Sequence, residues 1–565
     1  MKKTLLLVIL AILPLYRAAS QSIPHLERKG NTTEFIVNDK PFFILAGELD
    51  GSDASSAEFM EKYRWDAVKA NNLNAVLVAL GWEQIEPKEG TFDFSAVDAL
   101  IEGARKRELK IVLIWFASWK NGVTAHTPLW VKQDQKRFPV VQTSDGRSFS
   151  ILSTVEKNNW TADSKAFAAL MRHIREVDSK EQTIIMIQVE NEIGVRDSSR
   201  DFSTKASSMY GSAVPKQLMT YLTANKDSLL PETLEAWEKS GFRTSGTWEQ
   251  VFGKGERTDE IFMAWNYASY VEKVASAGKA EYPIPMYCNA WIVQPEDVHP
   301  GDYPSGGPQA QNHDIWRAAA PSIDILSPDI YLADFPSILA MYMRGGNPGF
   351  VPESRSGVNG AANVAYGIGE LGLVGYSPMD PTGIVSGPDI KYMSGIYSVI
   401  SEATATIYEH RENGTIHAVW LGSGESRFID SKGYRFTFSN NPMPMMGPAP
   451  EAQASPAMPG LPDPKDGGQG YAILMEDEGE WTVIASGCTM IVTDAEGKKT
   501  VGLGHTIEGR FESDKWVPGR WLNGDQTNAI SNVSEAQKQG STGQGLRFMG
   551  DAPMVVKVEA YKFRQ

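Results

Sequence analysis

At 565 residues, 42% hydrophobic and 22% charged, the chain has the composition of a folded soluble protein of two or three domains, not of a disordered or membrane-embedded one. Its 54 Lys and Arg against 69 Asp and Glu leave a net charge of −15, which disfavours nucleic acid as a partner, because phosphate binding needs a basic surface. A neutral ligand meets no such barrier.

In chain order, Lys2 and Lys3 precede an apolar run over 5–15, and Ala18, Ala19 and Ser20 follow it. This is the three-part layout of a secretory signal over residues 1–20, cut before Gln21, with an uncleaved N-terminal anchor as the alternative. The expected location is secreted or periplasmic. No later stretch reaches the ~18 apolar residues of a membrane span. Cys288 and Cys488 make no disulfide framework and read as buried thiols. Asn-x-Ser/Thr sequons stand at Asn31, Asn159, Asn413 and Asn532.

Apolar runs at 42–46, 73–80, 109–116 and 183–189 read as strands, with helices over 57–70, 96–107 and 164–177 between them. A longer, partly helical section fills 204–280. Further strands are expected near 284–287, 323–326, 349–352 and 366–368, and a closing helix over 389–410. The runs are continuously apolar and do not alternate, as suits parallel strands buried on both faces. Eight strand–helix units predict an α/β fold, a (β/α)8 TIM barrel, over residues 21–410. A doubly wound open sheet is the rival, but no Gly-rich phosphate turn follows the first strand. Beyond 411 the pattern changes to short β-like runs at 415–421, 434–438, 471–475, 481–485, 490–492 and 554–560. Residues 411–565 therefore predict a C-terminal all-β, sandwich-like domain, interrupted by a Pro/Gly/Met-rich surface loop over 441–470.

The chemistry concentrates at strand ends. Gln188-Val189-Glu190-Asn191-Glu192-Ile193-Gly194 closes the fourth strand, and Phe350-Val351-Pro352-Glu353 closes the seventh. In a barrel those ends share one pocket. Retaining glycosidases need two carboxyls ~5–5.5 Å apart, one to protonate the leaving oxygen and later activate water, the other to attack the anomeric carbon. Aromatic residues recur at the same end: Trp82, Trp115, Trp119, Trp291 and Tyr331. Such rings pack against the C–H faces of sugars, although core packing explains any one of them. No HExxH, Cys-pair or EF-hand pattern occurs, so no metal and no cofactor is expected.

Glu190-Asn191-Glu192, with Gln188 before and Gly194 after, resembles the acid/base motif of glycoside hydrolase family 35. The segment 82–94 (WEQIEPKEGTFDF) is similar to the stretch after strand two in family 35 and family 42 β-galactosidases. Gly47-Glu48-Leu49 and Pro352-Glu353 resemble a bacterial branch of family 35. The resemblance spans about residues 30–410. It implies Glu192 as acid/base, Glu353 as nucleophile and Asn191 bound to the sugar 2-hydroxyl, with Glu48, Trp82, Ser118, Trp119, Trp291 and Tyr331 lining the substrate. Typical members end strand three with Ala-Glu-Trp, whereas this chain has Ala117-Ser118-Trp119. The implied activity is a retaining exo-β-galactosidase acting on oligosaccharides or plant polysaccharide side chains. The same machinery on a β-glucoside, arabinopyranoside or fucoside stays open, as does a non-catalytic carbohydrate-binding barrel. Carbohydrate is the expected partner, and the oligomeric state is left open.

Overall fold

The computed structural model describes residues 22–30, 32–379, 390–440, 469–522, 524, 526–527 and 544–563. The signal expected over 1–20, most of the loop expected over 441–470, and the sequons Asn31 and Asn532 lie outside them.

Eight parallel strands build the first half: β1 (Ile44–Leu45), β2 (Ala75–Gly81), β3 (Lys110–Phe116), β4 (Ile184–Val189), β5 (Met286–Trp291), β6 (Ile325–Asp329), β7 (Phe350–Val351) and β8 (Gly375–Tyr376). Strands β2 to β6 form one ladder in sequence order, and β7-β8-β1 form another. Single parallel bridges join the two sheets at both seams, Glu48 to Leu77 and Ile330 to Ser354. The strands thus follow one another around a TIM-barrel ring with two thin seams.

Residues alternate between two interiors. Ala75, Leu77 and Ala79 on β2 and Val112, Ile114 and Phe116 on β3 fill the space inside the ring. Their neighbours Val76, Val78, Leu80, Ile111, Leu113 and Trp115 pack outward under the helices. Burial on both sides is why these strands read as unbroken apolar runs. A hairpin, His25–Lys29 with Thr32–Val37, adds Phe35 and Val37 to the inner cluster.

The surrounding helices include α1 (Ala57–Tyr63), α2 (Trp65–Ala70), α3 (Ser95–Arg105), α4 (Lys157–Asp178), α5 (Glu256–Glu281), α6 (His313–Ala319), α7 (Phe335–Tyr342), α8 (Gly357–Tyr366), α9 (Ile390–Glu402) and α10 (Thr404–Asn413). The single helices expected over 57–70 and 389–410 are therefore each broken in two. The eighth strand expected at 366–368 is also corrected. Those residues end α8 and enter a π-helical turn, Gly367–Leu371, that closes at Gly372 with φ +81. Their apolar character belongs to a buried helix face. The true β8 has two residues and lies close to β1, so that a Cβ on Gly375 would sit 2.5 Å from that of Ile44.

From Ile416 onward the chain is β-rich. Strands β9 (Ile416–Leu421), β10 (Ser426–Ser431), β11 (Tyr434–Ser439), β12 (Gly470–Asp477), β13 (Glu480–Ser486), β14 (Cys488–Asp494), β15 (Thr500–Glu512), β16 (Lys515–Trp521), β17 (Gln544–Phe548) and β18 (Met554–Phe563) make two antiparallel sheets. Their orders are β9-β12-β13-β18-β15-β16 and β10-β11-β14-β17. Val419, Leu474, Val483 and Val556 of the six-stranded sheet share a core with Phe436, Met490 and Leu546 of the other. Ala418, Ile473, Ile484 and Val555, from the opposite face of the same sheet, join the core of the barrel half. Both cysteines are free and buried. Asn159 is fully buried and donates to the carbonyls of Pro139 and Ser153, so its sequon is closed in the folded chain.

Candidate active site

Polar groups take over where the inward register of each strand reaches the C-terminal rim. Ile44 and Ala46 lead to Glu48, Tyr287 leads to Asn289, and Ile325 leads to Ser327 and Asp329. All of these polar side chains are buried. Beside them stand Glu192, just past β4, and Glu353, just past β7, each 7% exposed. Carboxyl oxygens of Glu192, Asp329 and Glu353 lie within 4.8 Å of one another.

Asn289 ties the three together. Its Oδ1 accepts from the backbone N–H of Glu192 at 3.0 Å. Its Nδ2 donates to Asp329 Oδ2 at 2.7 Å and to Glu353 Oε1 at 3.3 Å. Glu353 also accepts from Asn191 Nδ2 at 3.4 Å and from the Tyr331 hydroxyl at 3.1 Å. Asn191 is oriented in turn, because its Oδ1 accepts from Lys120 Nζ at 3.4 Å and from the N–H of Asn121 at 3.3 Å.

These surroundings separate the two glutamates. Burial, then the charge of Glu353, pushes Glu192 up to about 8, against opposition from Lys120. Burial also raises Glu353, but Lys120, the Tyr331 hydroxyl and Asn191 hold it down by favouring its carboxylate. The surroundings therefore favour the carboxylate at Glu353 and the protonated acid at Glu192. Burial and then the charge of Glu353 hold Glu48 and Asp329 well above the ordinary carboxylate range. Among the described residues, Glu192, Asp329 and Glu353 form the one carboxyl grouping close enough to share a cation, but donors from Asn289 and Tyr331 already point into it.

Glu190 and Glu192 both adopt positive φ, +65 and +45, so the chain zigzags as it leaves β4. Glu192 faces the pocket, while Glu190 turns into the wall. There its Oε2 accepts from the N–H of Trp119 at 2.8 Å, and its carboxyl group meets Asp163 of α4. Asp163 accepts from Trp115 Nε1 at 3.0 Å and from Ser118 Oγ at 2.6 Å. Burial, then the charge of Asp163, holds Glu190 well above the usual range, and burial raises Asp163. Gly194 completes the motif at φ +148, where a Cβ would lie 2.4 Å from the Pro304 backbone.

Glu48, Asn191, Glu192, Tyr331 and Glu353 thus cluster at the C-terminal rim of the ring. Trp291 lies two residues beyond Asn289 on β5, half-buried, with the Arg196 guanidinium 4.5 Å above its ring. Three expected substrate contacts are corrected. Trp82 opens a helical turn with its ring fully buried against Trp130, donating to Glu86 at 2.9 Å. Trp119 is packed between Tyr267, Tyr270 and the carbonyl of Leu152. Ser118 is fully buried, its hydroxyl taken by Asp163 and Tyr270. In each case the side chain points out of the ring, under the helices. The sequence reading missed Lys120, Asn289 and Asp329.

Residues 57–251 match the family model of glycoside hydrolase family 42, described as beta-galactosidase. Residues 393–534 match a domain of unknown function, DUF5597. The family 42 match supports a glycoside hydrolase of the barrel clan. Family 35, which the motifs resemble, is not the family whose model matches. A beta-galactosidase of Xanthomonas manihotis is 27% identical over 243 residues, covering 41% of this chain and 37% of that protein. The chain therefore spans little more than a third of this curated relative's length. Among solved structures, beta-galactosidase from Bacillus circulans sp. alkalophilus aligns with a TM-score of 0.42 at 15% identity, over 65% of this chain and 57% of that one. The catalytic domain of beta-amylase from Paenibacillus polymyxa aligns with a TM-score of 0.43 at 13% identity, over 63% and 98%. The family 42 match includes Asn191 and Glu192 but ends before Asn289, Asp329 and Glu353, so the roles of those three rest on geometry.

Proposed function

We propose that the protein removes terminal β-galactosyl units from oligosaccharides or plant polysaccharide side chains by double displacement, with Glu353 as nucleophile and Glu192 as acid/base. The observation that carries this reading is the carboxyl pair within 4.8 Å, one member surrounded by donors and the other pushed up to about 8. That separation belongs to retaining enzymes, because inverting ones need ~6.5–9.5 Å for a water between the acids. Glu192 protonates the leaving oxygen while Glu353 attacks the anomeric carbon. Glycosylation removes the charge of Glu353, the affinity of Glu192 for its proton falls, and Glu192 then deprotonates the incoming water. The sugar rests on what the named relative acts on, and exo action on the family resemblance. We also read residues 1–20 as a secretion signal, which N-terminal sequencing of the exported protein checks by a start at Gln21.

The test is hydrolysis of nitrophenyl β-galactoside by wild type, Glu192→Gln and Glu353→Gln, each with and without azide. Loss of a general acid/base costs ~10²–10⁴-fold. Both variants are expected to collapse, with azide restoring only Glu192→Gln and yielding a β-galactosyl azide. A first product of inverted configuration overturns the mechanism. One observation favours a second reading, the same mechanism on another β-glycoside: with Ser118 turned to Asp163, strand β3 offers the sugar no carboxylate where family 35 members carry one. Turnover of a different nitrophenyl glycoside with the galactoside inert decides for it.

A further inference from the structure

Asp329 is buried at the end of β6 beside both paired acids, yet the double displacement leaves it without a part. Its surroundings fix its chemistry. Because Asn289 Oδ1 must accept the Glu192 N–H, the amide cannot be turned over, and Nδ2 necessarily faces Asp329 and Glu353. Asp329 Oδ2 is thereby supplied with a donor. Asp329 Oδ1 is sealed from solvent and has no N–H or hydroxyl donor among the described residues. A carboxyl oxygen of Asp329 lies within 4.8 Å of one on Glu192. Two carboxyls can bond to each other only with a proton between them. The charged groups around Asp329 agree: Glu353, Glu192 and Glu48 all raise it, Lys120 and Arg196 are the cations that act on the neighbouring Glu192, and the hydroxyls of Tyr287, Tyr331 and Tyr342 are raised by the charge of Asp329.

We propose that Asp329 remains protonated throughout the reaction cycle and donates its Oδ1 proton to Glu192 whenever Glu192 is ionised. It is a positioning residue that acts through Glu192, and the proposal rests on the glycosidase reading above. In the first half-reaction the Glu192 O–H bond breaks, its proton goes to the glycosidic oxygen, and the aglycone leaves as an alcohol while Glu353 forms an ester with the anomeric carbon. Glu192 is then a buried carboxylate, and the Asp329 O–H supplies the hydrogen bond it needs. In the second half-reaction water gives its proton to Glu192 and its oxygen to the anomeric carbon, and the ester electrons return to Glu353. The Asp329 proton is neither consumed nor released. Burial keeps it in place, reinforced by the charge of Glu353 in the resting enzyme and by that of Glu192 once Glu353 is esterified.

Asp329→Asn and Asp329→Ala separate this role from a merely structural one. Asn keeps an N–H toward Glu192 and Ala does not. With a dinitrophenyl glycoside, whose leaving group needs no protonation, the second half-reaction limits turnover. Asp329→Ala is expected to lose ~10- to ~100-fold in kcat, the worth of one hydrogen bond to a charged group, with KM falling in parallel as the intermediate accumulates. Asp329→Asn is expected to stay within ~10-fold of wild type, since it replaces the donor. An Asn variant as impaired as the Ala variant overturns the proposal, because the ionised carboxylate was then required. An infrared difference spectrum of wild type against Asp329→Asn at neutral pH needs no turnover. It is expected to show one protonated-carboxyl C=O stretch missing from the variant, and its absence also overturns the proposal. If wild type cleaves no glycoside, the glycosidase reading fails while the infrared comparison still decides where the proton sits.

Discussion

Replacing Glu353 by Gln removes the negative charge nearest Glu192 and lowers the pH at which Glu192 gives up its proton. Unit charges 4.8 Å apart interact by ~0.9 kcal/mol if fully water-screened and by ~3.5 kcal/mol at the effective dielectric of a protein surface, or ~0.6 to ~2.5 pKa units. Burial is the larger cause of the displacement from 4.5 to about 8, and it survives the substitution. A fall of ~1–2 units, to roughly pH 6–7, is therefore expected within that Coulombic range. The variant is expected to lose activity, so the assay is carbon NMR of enzyme labelled at the Glu side-chain carboxyl, with Glu192→Gln identifying the resonance. In the wild type the same ionisation forms the basic limb of the profile of kcat/KM, near pH 8. If the Glu192 resonance titrates at the same pH in both proteins, the charge of Glu353 does not govern the acid, and the proton-cycling argument fails.

Asn289→Ala strips donors from Asp329 and Glu353, so kcat/KM is expected to fall by ~10- to ~100-fold, with the acidic limb of the pH profile moving up as Glu353 loses help in ionising. Stability follows the raised carboxyls Glu48, Asp163, Glu190, Glu192, Asp329 and Glu353, which bind protons more tightly folded than unfolded. Their contribution is complete below the unfolded carboxyl range and is lost as pH rises, so Tm by calorimetry is expected to drop between ~pH 6.5 and ~pH 8.5. Below that window the buried His313, lowered to about 3, acts in the opposite sense, because folding must keep it neutral. Gly375→Val forces a Cβ to 2.5 Å from that of Ile44 at the β1–β8 pair and is expected to cost ~1–3 kcal/mol or more, read as a lower Tm. Trp82→Phe is expected to lower Tm and leave KM unchanged, because the ring packs in the core; a raised KM would return Trp82 to the pocket.

Long buried strands were the legible part of this fold. An unbroken run such as 109–116 can only be a strand or a helix covered on all sides, and alternation with amphipathic helices decides for the parallel ring. The two-residue β8 carries no pattern of its own, so the apolar end of α8 drew the reading away from it. The acids Glu192 and Glu353 stood out because carboxyls interrupt apolar sequence at strand ends. Asn289 and Asp329 follow the same rule, but β5 and β6 run on to Trp291 and Asp329, past the ends expected at 287 and 326. Pro328 looks like a strand breaker, although it lies inside β6. The tryptophans failed for a different reason. Trp82 and Trp119 lie past their strand ends and no longer obey the inward–outward alternation, whereas Trp291 still lies inside β5, two residues from Asn289, beyond the end expected at 287. The hydrogen bond of Ser118 to Asp163 joins residues 45 apart in sequence, and nothing local announces it.

The six-stranded sheet has apolar side chains on both faces, one supplying the sandwich core and the other the core of the barrel half. Such a sheet has no side suited to water, so it cannot be shared out between two independent folding units. A chain cut after α10 would expose the oily flank built from α8, α9 and α10, and the severed remainder would carry the matching surface. Trimming the enzyme to its catalytic half, or grafting the C-terminal half elsewhere as a soluble module, would yield aggregating fragments. Whatever ligand the C-terminal half meets, its position relative to the catalytic pocket is set once, when the chain folds.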